Sequence, residues 1–237
     1  MRRCICLVAL LGLVVPAVAE DSDARDIVKK AIKAMGQTED RSVKAVTYKA
    51  NGTFYGMGME LPFSGTWTIE YPNKTRIEIT DFVTIVVDGK QGWLSAMGGT
   101  LDLPEDQLTE QLESIHADWA SEIVPLLGKD FKLSRVGEGK VDDVPVVTIK
   151  ASYPGRRDLT LHFDKETRLL RKLEQKVKDD SGIEVNQETL IQAYGQAGPV
   201  KVPGKLLIKR DGQKYLEAEI TDYKYLDKVP EDTFRRP

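Results

Sequence analysis

The sequence predicts a mainly β chain with helices (an α+β class), in which a curved antiparallel sheet of about 11 strands forms an open, incomplete barrel. Three observations predict this class. Apolar and polar residues alternate with a period of two through most of the chain. Turn residues interrupt the alternation at short intervals. Two segments have the period of one-faced helices, and because two helices cannot cover so many strands, the sheet must curl around its own core.

The chain begins with the pattern of a secretory signal peptide over residues 1–19. A positively charged start precedes the apolar run 7–15, and Ala17-Val18-Ala19 forms a small-residue cleavage site. The apolar run is too short for a permanent membrane anchor. We therefore expect a periplasmic protein whose single mature domain comprises residues 20–237.

Composition excludes several classes of function. Cys4 and Cys6 both lie in the leader, so the mature domain has no cysteine for a disulfide, a thiol enzyme or a cysteine-ligated zinc site. The formal net charge of −3 provides no broad electropositive field, and nucleic acid is not an expected partner.

The first predicted element of the mature chain is a helix, capped by Ser22 or Asp23 and ended by Gly36. From Val43 onward the period becomes two, which predicts an antiparallel meander with one apolar side. The run 82–87 is apolar at almost every position, as in a strand that is covered on both faces.

A second helix is predicted after Pro104, with its end at Gly128. Its apolar residues form one continuous stripe: Leu108, Leu112, Ile115, Trp119, Ile123 and Leu126. Packing against the sheet is the simpler interpretation of this stripe, and a lid over an apolar cavity is the other. Alternating strands are predicted again from Phe131 to Tyr225.

No catalytic, cofactor-binding or metal-binding set is recognisable, so we expect a protein that is not an enzyme and holds no cofactor. His162 alternates outward on its strand and is predicted to lie at the surface. His116 is predicted to be a solvated histidine, because Asp118, two residues on, points to another side of the helix. The turn at Arg156-Arg157 is predicted to be a solvated loop, with an anionic lipid headgroup as its alternative partner.

Three segments, taken in order, carry a resemblance to a known family: GTWTIEYPN at 65–73, VDGKQGW at 87–93 and FDKETRLLRKL at 163–173. The closing segments 222–225 and 230–234 add to it. They resemble the outer-membrane lipoprotein-sorting protein superfamily, which includes the periplasmic lipoprotein carrier LolA and its outer-membrane receptor LolB. The resemblance implies an open barrel of eleven strands, helices that form a lid, and an acyl-chain pocket between them.

One position departs from the carrier's pattern. The carrier has an arginine before the Pro-Asn turn that helps to hold the lid closed, and here that position is Tyr71. A tyrosine donates a single hydrogen bond and brings a large apolar ring. We therefore expect a lid held mainly by apolar contacts from Leu112, Ile115 and Trp119 rather than by a polar latch.

The function expected from these observations is that of an exported, LolA-like protein that binds lipid or lipoprotein acyl chains, in lipoprotein sorting or envelope lipid transport. Its partners would be lipid or acylated lipoprotein, envelope transport proteins and, transiently, the membrane. The predicted pocket lining is Trp67, Ile69, Tyr71, Ile77, Ile79, Ile85, Val87, Trp93, Ile115 and Trp119. For each residue taken alone, ordinary core is the simpler interpretation, and the set is named because the resemblance implies a cavity where these residues converge. The main alternative is a scaffold with a filled barrel; an envelope hydrolase lacks a recognisable nucleophile–base pair.

Overall fold

The computed structural model describes residues 22–56, 59–179 and 181–237. The predicted signal peptide lies outside these residues. The helices are α1 (Ser22–Ala34) and α2 (Glu105–Ser121), followed by a short 3₁₀ helix (Val124–Leu127). The strands are β1 (Ala45–Gly56), β2 (Met59–Glu70), β3 (Lys74–Ile79), β4 (Val83–Asp88), β5 (Gln91–Ala96), β6 (Gly99–Asp102), β7 (Lys132–Val141), β8 (Val144–Ser152), β9 (Leu159–Asp164), β10 (Leu170–Lys178), β11 (Glu184–Ala197), β12 (Val200–Arg210) and β13 (Gln213–Leu226).

All these strands form a single antiparallel sheet, in the order β6-β5-β4-β3-β2-β1-β13-β12-β11-β10-β9-β8-β7. The first and last strands of that order do not pair with each other, so the sheet curves without closing. This confirms the predicted α+β class with an open half-barrel. The described residues contain 13 strands rather than about 11.

The connection between the two edges explains where α2 must lie. Strands β6 and β7 are consecutive along the chain but occupy opposite edges of the sheet. Helix α2 and the 3₁₀ helix form this connection, so they have to cross the open side of the curved sheet. Accordingly α2 contacts β3 and β4 towards one edge and β10 towards the other.

Helix α1 fills the end of the half-barrel beside β7. One face, comprising Ala24, Val28, Ala31 and Ile32, is buried, as the periodicity predicts. Gly36 follows the helix with φ of 76°, the left-handed conformation that favours glycine. A Cβ at Gly36 would lie 2.5 Å from the carbonyl oxygen of Pro199, so the position also requires the absence of a side chain.

Helix α2 begins at Glu105 as predicted but ends at Ser121 rather than at Gly128. The break occurs at Ile123, whose φ of 68° is rare for a β-branched residue and incompatible with a continuing α-helix. The predicted apolar stripe is therefore divided. Its last two members, Ile123 and Leu126, are fully buried in the cluster that includes α1.

Different parts of the chain pack on the two faces of the sheet. The inner face carries the main apolar clusters beneath α1 and α2. On the outer face, Val229 and Phe234 of the C-terminal tail pack with Ala45 and Val86. Neither α1 nor any other described helix has the length and apolarity needed to traverse a bilayer.

Candidate ligand cavity

A cavity of about 200 Å³ lies between α2 and the inner face of the sheet. Most of its lining is apolar or aromatic, and the polar residues come chiefly from α2 and from β10, β11 and β13. The lining comprises Met35, Tyr48, Ala50, Phe63, Trp67, Ile69, Tyr71, Ser114, Ala117, Asp118, Ser121, Glu122, Leu170, Leu173, Gln175, Gln187, Thr189, Ile191, Pro203, Leu206, Ile208, Leu216, Ala218, Ile220, Tyr223 and Tyr225.

Aromatic rings form one wall of the cavity. The ring of Tyr48 is parallel to that of Trp67, with centroids 5.7 Å apart, and to that of Tyr223, with centroids 5.4 Å apart. Strands β2, β1 and β13 are neighbours in the sheet, and side chains opposite one another in register share a face. Alternation along three adjacent strands thus places these rings side by side. Tyr225 meets Tyr223 edge-on at 5.5 Å.

Two carboxylates, that of Asp118 in α2 and that of Glu122 directly after the helix, face this aromatic wall. They are four residues apart and therefore lie on the same side of the helix. Glu122 is buried, and its two carboxylate oxygens accept hydrogen bonds from the hydroxyls of Tyr223 at 2.6 Å and Tyr225 at 3.1 Å. Burial raises the pKa of Glu122, and the two tyrosine hydrogen bonds oppose that change.

Asp118 has a different environment from Glu122. Burial raises its pKa to about 7, and the nearby Glu122 carboxylate acts in the same direction. Asp118 also lines the cavity. Among the described residues, no cation or hydrogen-bond donor meets the Asp118 carboxylate, so nothing opposes the rise of its pKa.

Five of the ten predicted lining residues lie in or beside the cavity. Trp67, Ile69 and Tyr71, at alternate positions of β2 and just beyond its end, line it directly. Val87 and Ile115 pack with Ile69 in one buried cluster next to it. These two residues support the cavity wall without forming its surface.

Three other predicted residues lie on the correct face but away from the cavity. Ile77 is opposite both Trp67 and Ile85 in register, and Ile79 is opposite Gly65. All three isoleucines therefore share the inner face with Trp67. They belong to β3 and β4, nearer the edge of the sheet, and they are absent from the cavity lining.

The two remaining tryptophans lie elsewhere. Trp93 is opposite Val86 in register, which places it on the outer face, where it packs with the C-terminal tail. Trp119 points to another side of α2 than Asp118 does, and its ring lies 5.6 Å from that of Phe131 and 5.9 Å from that of Tyr153. Neither tryptophan lines the cavity.

The prediction for His116 was wrong, and the prediction for His162 was correct only in that it lies on the outward side of its strand. His116 is only 3% exposed, because its ring stacks on Phe131 with centroids 5.5 Å apart. Burial, and then the Arg156 charge, lowers its pKa to about 4. His162 is half-buried, and its Nδ1 lies 3.0 Å from the hydroxyl of Thr148. In both places a neighbouring element covers a side chain that strand or helix period alone would leave exposed.

Helix α2 has the predicted apolar packing of Leu112 and Ile115, but the prediction that it lacks a polar latch was wrong. The guanidinium of Arg157 donates to both carboxylate oxygens of Glu110, at 2.7 and 2.5 Å. The backbone N–H of Arg157 donates to Glu113 at 3.0 Å, and Arg156 forms an ion pair with Glu113 at 3.4 Å. The turn at 156–157, predicted to be solvated, thus holds the first half of α2, while Tyr223 and Tyr225 hold its end.

Comparison with known proteins identifies the fold. No family model and no curated protein match the chain. Among solved structures, a LolA superfamily protein from Nitrosomonas europaea has a TM-score of 0.59 at 13% identity, over 90% of this chain and 97% of that chain. The fold of this chain is similar to that of this LolA superfamily protein.

Two further solved structures have the same fold. A DUF1329 family protein from Desulfovibrio piger has a TM-score of 0.59 at 11% identity, over 90% of this chain and 97% of that one. A domain from Vibrio parahaemolyticus described as an outer-membrane lipoprotein-sorting protein domain has a TM-score of 0.58 at 10% identity, over 89% and 97%. At these identities the LolA-like likeness concerns the fold.

Sequence reasoning missed the polar residues of the cavity. Asp118 and Glu122 have the i, i+4 spacing of one helix face, beside the apolar stripe. Tyr223 and Tyr225 alternate on the last strand, as do Tyr48 and Ala50 on the first. The spacing was visible, but the meeting of these segments depends on the pairing of β1 with β13.

Proposed function

We propose that this chain is a periplasmic, LolA-like protein that binds the acyl chains of lipid or lipoprotein in the cavity beneath α2. The observation that carries the proposal is the cavity itself, enclosed by the apolar inner face of the sheet and by a helix that crosses its open side. Transfer of an acyl chain from water to such a site is worth about 0.8 kcal/mol per methylene group.

A filling substitution tests this proposal directly. Ala50 of β1 is 4% exposed and lines the cavity, so Ala50→Met should occupy space that a ligand needs. We expect wild-type protein to bind an environment-sensitive fatty-acid probe saturably, with displacement by competing lipid, and Ala50→Met to bind it at least tenfold more weakly. Lys49→Met is the matched control, because Lys49 is exposed on the opposite face of the same strand. Equal binding by both variants would place the probe elsewhere.

A second candidate is a periplasmic scaffold or partner-binding module with a filled barrel. The size of the cavity favours it, since about 200 Å³ is below the 300–1,000 Å³ common for pockets that hold drug-sized ligands. Under this alternative no probe binds to wild-type protein. Organic extraction of purified protein, followed by lipid analysis, separates the two candidates.

From the residues of the cavity we expect it to bind a ligand rather than to catalyse a reaction. His116 is the histidine closest in sequence to the two carboxylates, and it packs against Phe131. The described residues contain no group of three or more side chains arranged to hold a metal ion. Export is tested by N-terminal sequencing of protein from the periplasm, which should begin at Glu20.

A further inference from the structure

The cavity presents hydrogen-bond acceptors and negative charge without a matching cation. Its described lining contains two carboxylates, Asp118 and Glu122, and no lysine, arginine or histidine. Tyr223 and Tyr225 donate their hydroxyl protons to Glu122, so their oxygens can only accept further hydrogen bonds. The other polar groups of the lining, such as the Tyr71 hydroxyl, are neutral and can donate as well as accept, so the imbalance of the polar side lies in its charge.

Arg41, a basic group close to Tyr225, does not remove this imbalance. Arg41 lies over the ring of Tyr225, with its guanidinium carbon 4.1 Å from the ring centroid, and its charge acts on Glu122. Arg41 is not among the residues that line the cavity. The positive charge of Arg41 can balance the carboxylate of Glu122. The carboxylate of Asp118 also lines the cavity and has no partner among the described residues.

A separate side chain indicates that a donor is missing from the cavity. Gln175 of β10 also lines it, is 6% exposed, and has no hydrogen-bond partner for Oε1 among the described residues. A buried amide oxygen without a donor costs about 1–3 kcal/mol. Because Gln175 is on β10 and Asp118 is on α2, acceptors without a partner lie on two separate elements that line the cavity.

The aromatic wall favours the same kind of ligand. The rings of Tyr48, Trp67 and Tyr223 are electron-rich, and aromatic faces attract ammonium groups. An anionic headgroup would meet two carboxylates at short range in a medium of low polarity, which is strongly unfavourable. A neutral headgroup would leave the ionised form of Asp118 without a counter-charge.

We propose that the polar side of the cavity binds a protonated amine, so that the preferred ligand is an amphiphile with an apolar chain and a cationic ammonium head. This inference rests on the proposed binding of acyl chains and specifies the headgroup. Asp118 would form the ion pair with the ammonium, and the oxygens of the tyrosines and of Gln175 would accept its remaining hydrogen bonds.

Three ligands of equal chain length test the headgroup separately from the chain: octylamine, octanol and octanoate. Each is titrated against a bound neutral fluorescent probe, below its aggregation concentration and at pH 7.5. We expect octylamine to displace the probe at a concentration at least tenfold lower than octanol, and octanoate to be the weakest. Tenfold corresponds to about 1.4 kcal/mol.

Isosteric variants assign the effect to the carboxylate. Asp118→Asn should reduce the affinity for octylamine to that for octanol and leave octanol unchanged, and Glu122→Gln should weaken octylamine less. Asp106→Asn is the matched control, because Asp106 is exposed in the first turn of the same helix. Equal affinity for octylamine and octanol, or an unaltered preference in Asp118→Asn, would refute the amine site while acyl binding stands. If none of the three displaces the probe, the proposed function fails as well.

Discussion

The hydroxyl of Tyr223 donates a hydrogen bond of 2.6 Å to the carboxylate of Glu122, between the last strand of the sheet and the end of α2. These residues are 101 positions apart in the sequence. The bond joins the end of the helix that crosses the open side to the strand beneath it, and it is one of the two tyrosine hydrogen bonds that stabilise the buried carboxylate. The stability of the lid and the chemistry of the cavity therefore depend on the same residues.

Tyr223→Phe should lower the free energy of unfolding by about 1–3 kcal/mol, because it removes one of two donors from a buried carboxylate. Urea denaturation measures the loss. Tyr55→Phe is the matched control: Tyr55 donates to Glu217 at 2.9 Å in the same chemical arrangement, but on the solvent-accessible part of the β1 strand. We expect a much smaller loss for this control. Equal losses would mean that Glu122 is hydrated.

The ionisation of Asp118 should make folding less favourable as the pH rises. Its pKa is raised from 3.8 to about 7 in the folded state, so between these values the folded protein retains a proton that the unfolded chain releases. The contribution is fully favourable below about pH 4 and is lost by about pH 7. Each pKa unit is worth about 1.4 kcal/mol, which gives about 4 kcal/mol as the upper limit for this group.

The variant Asp118→Asn isolates this effect from other titrations. We expect the difference in unfolding free energy, variant minus wild type, to increase from pH 4 to pH 7 and then to level off. Surface carboxylates with lowered pKa, such as Asp158 beside Lys150, are present in both proteins and cancel in the difference. A difference that does not change with pH would mean that the Asp118 carboxylate titrates as in water.

The bidentate pair of Arg157 and Glu110 should couple the 156–157 turn to α2. A double-mutant cycle with Arg157→Ala and Glu110→Ala should give a coupling free energy of about 1–2 kcal/mol, since both side chains are about three-quarters buried. The exposed pair Lys150–Asp158 serves as the control and should give a coupling near zero. Probe association should also be faster in Arg157→Ala if α2 must move to admit a ligand.

Tyr71 and Trp119 should respond differently to substitution. The Tyr71 hydroxyl has no hydrogen bond to another described residue, so Tyr71→Phe should change probe affinity less than threefold.

Trp119 packs against Phe131 and Tyr153 on the side of α2 away from the cavity, so Trp119→Ala should cost about 3 kcal/mol of stability. Loss of probe binding in Tyr71→Phe, with Trp119→Ala unchanged in stability, would reverse these roles.

Local patterns in the sequence were sufficient to predict most of the helices and strands and the fold class. The apolar periods predicted α1, the start of α2 at Glu105 and most strands, because burial of one face is encoded at fixed spacing along the chain. Gly36 predicted the end of α1 correctly. The short edge strand β6 escaped prediction, since four residues with the sequence GTLD contain too little alternation to be recognised.

Only the tertiary structure decided which face of each element meets which partner. Trp93 and Val87 both suited a pocket in sequence, yet the register between β4 and β5 sends Trp93 to the outer face beneath the C-terminal tail. In the sequence, Asp118 and Glu122 cannot be distinguished from ordinary polar residues of a helix. They belong to the cavity because α2 crosses the open side of the sheet and faces β13. The apolar periodicity of a segment determines which residues near each other in sequence share a face. Contacts between distant segments depend on strand order, register and the path of the connection.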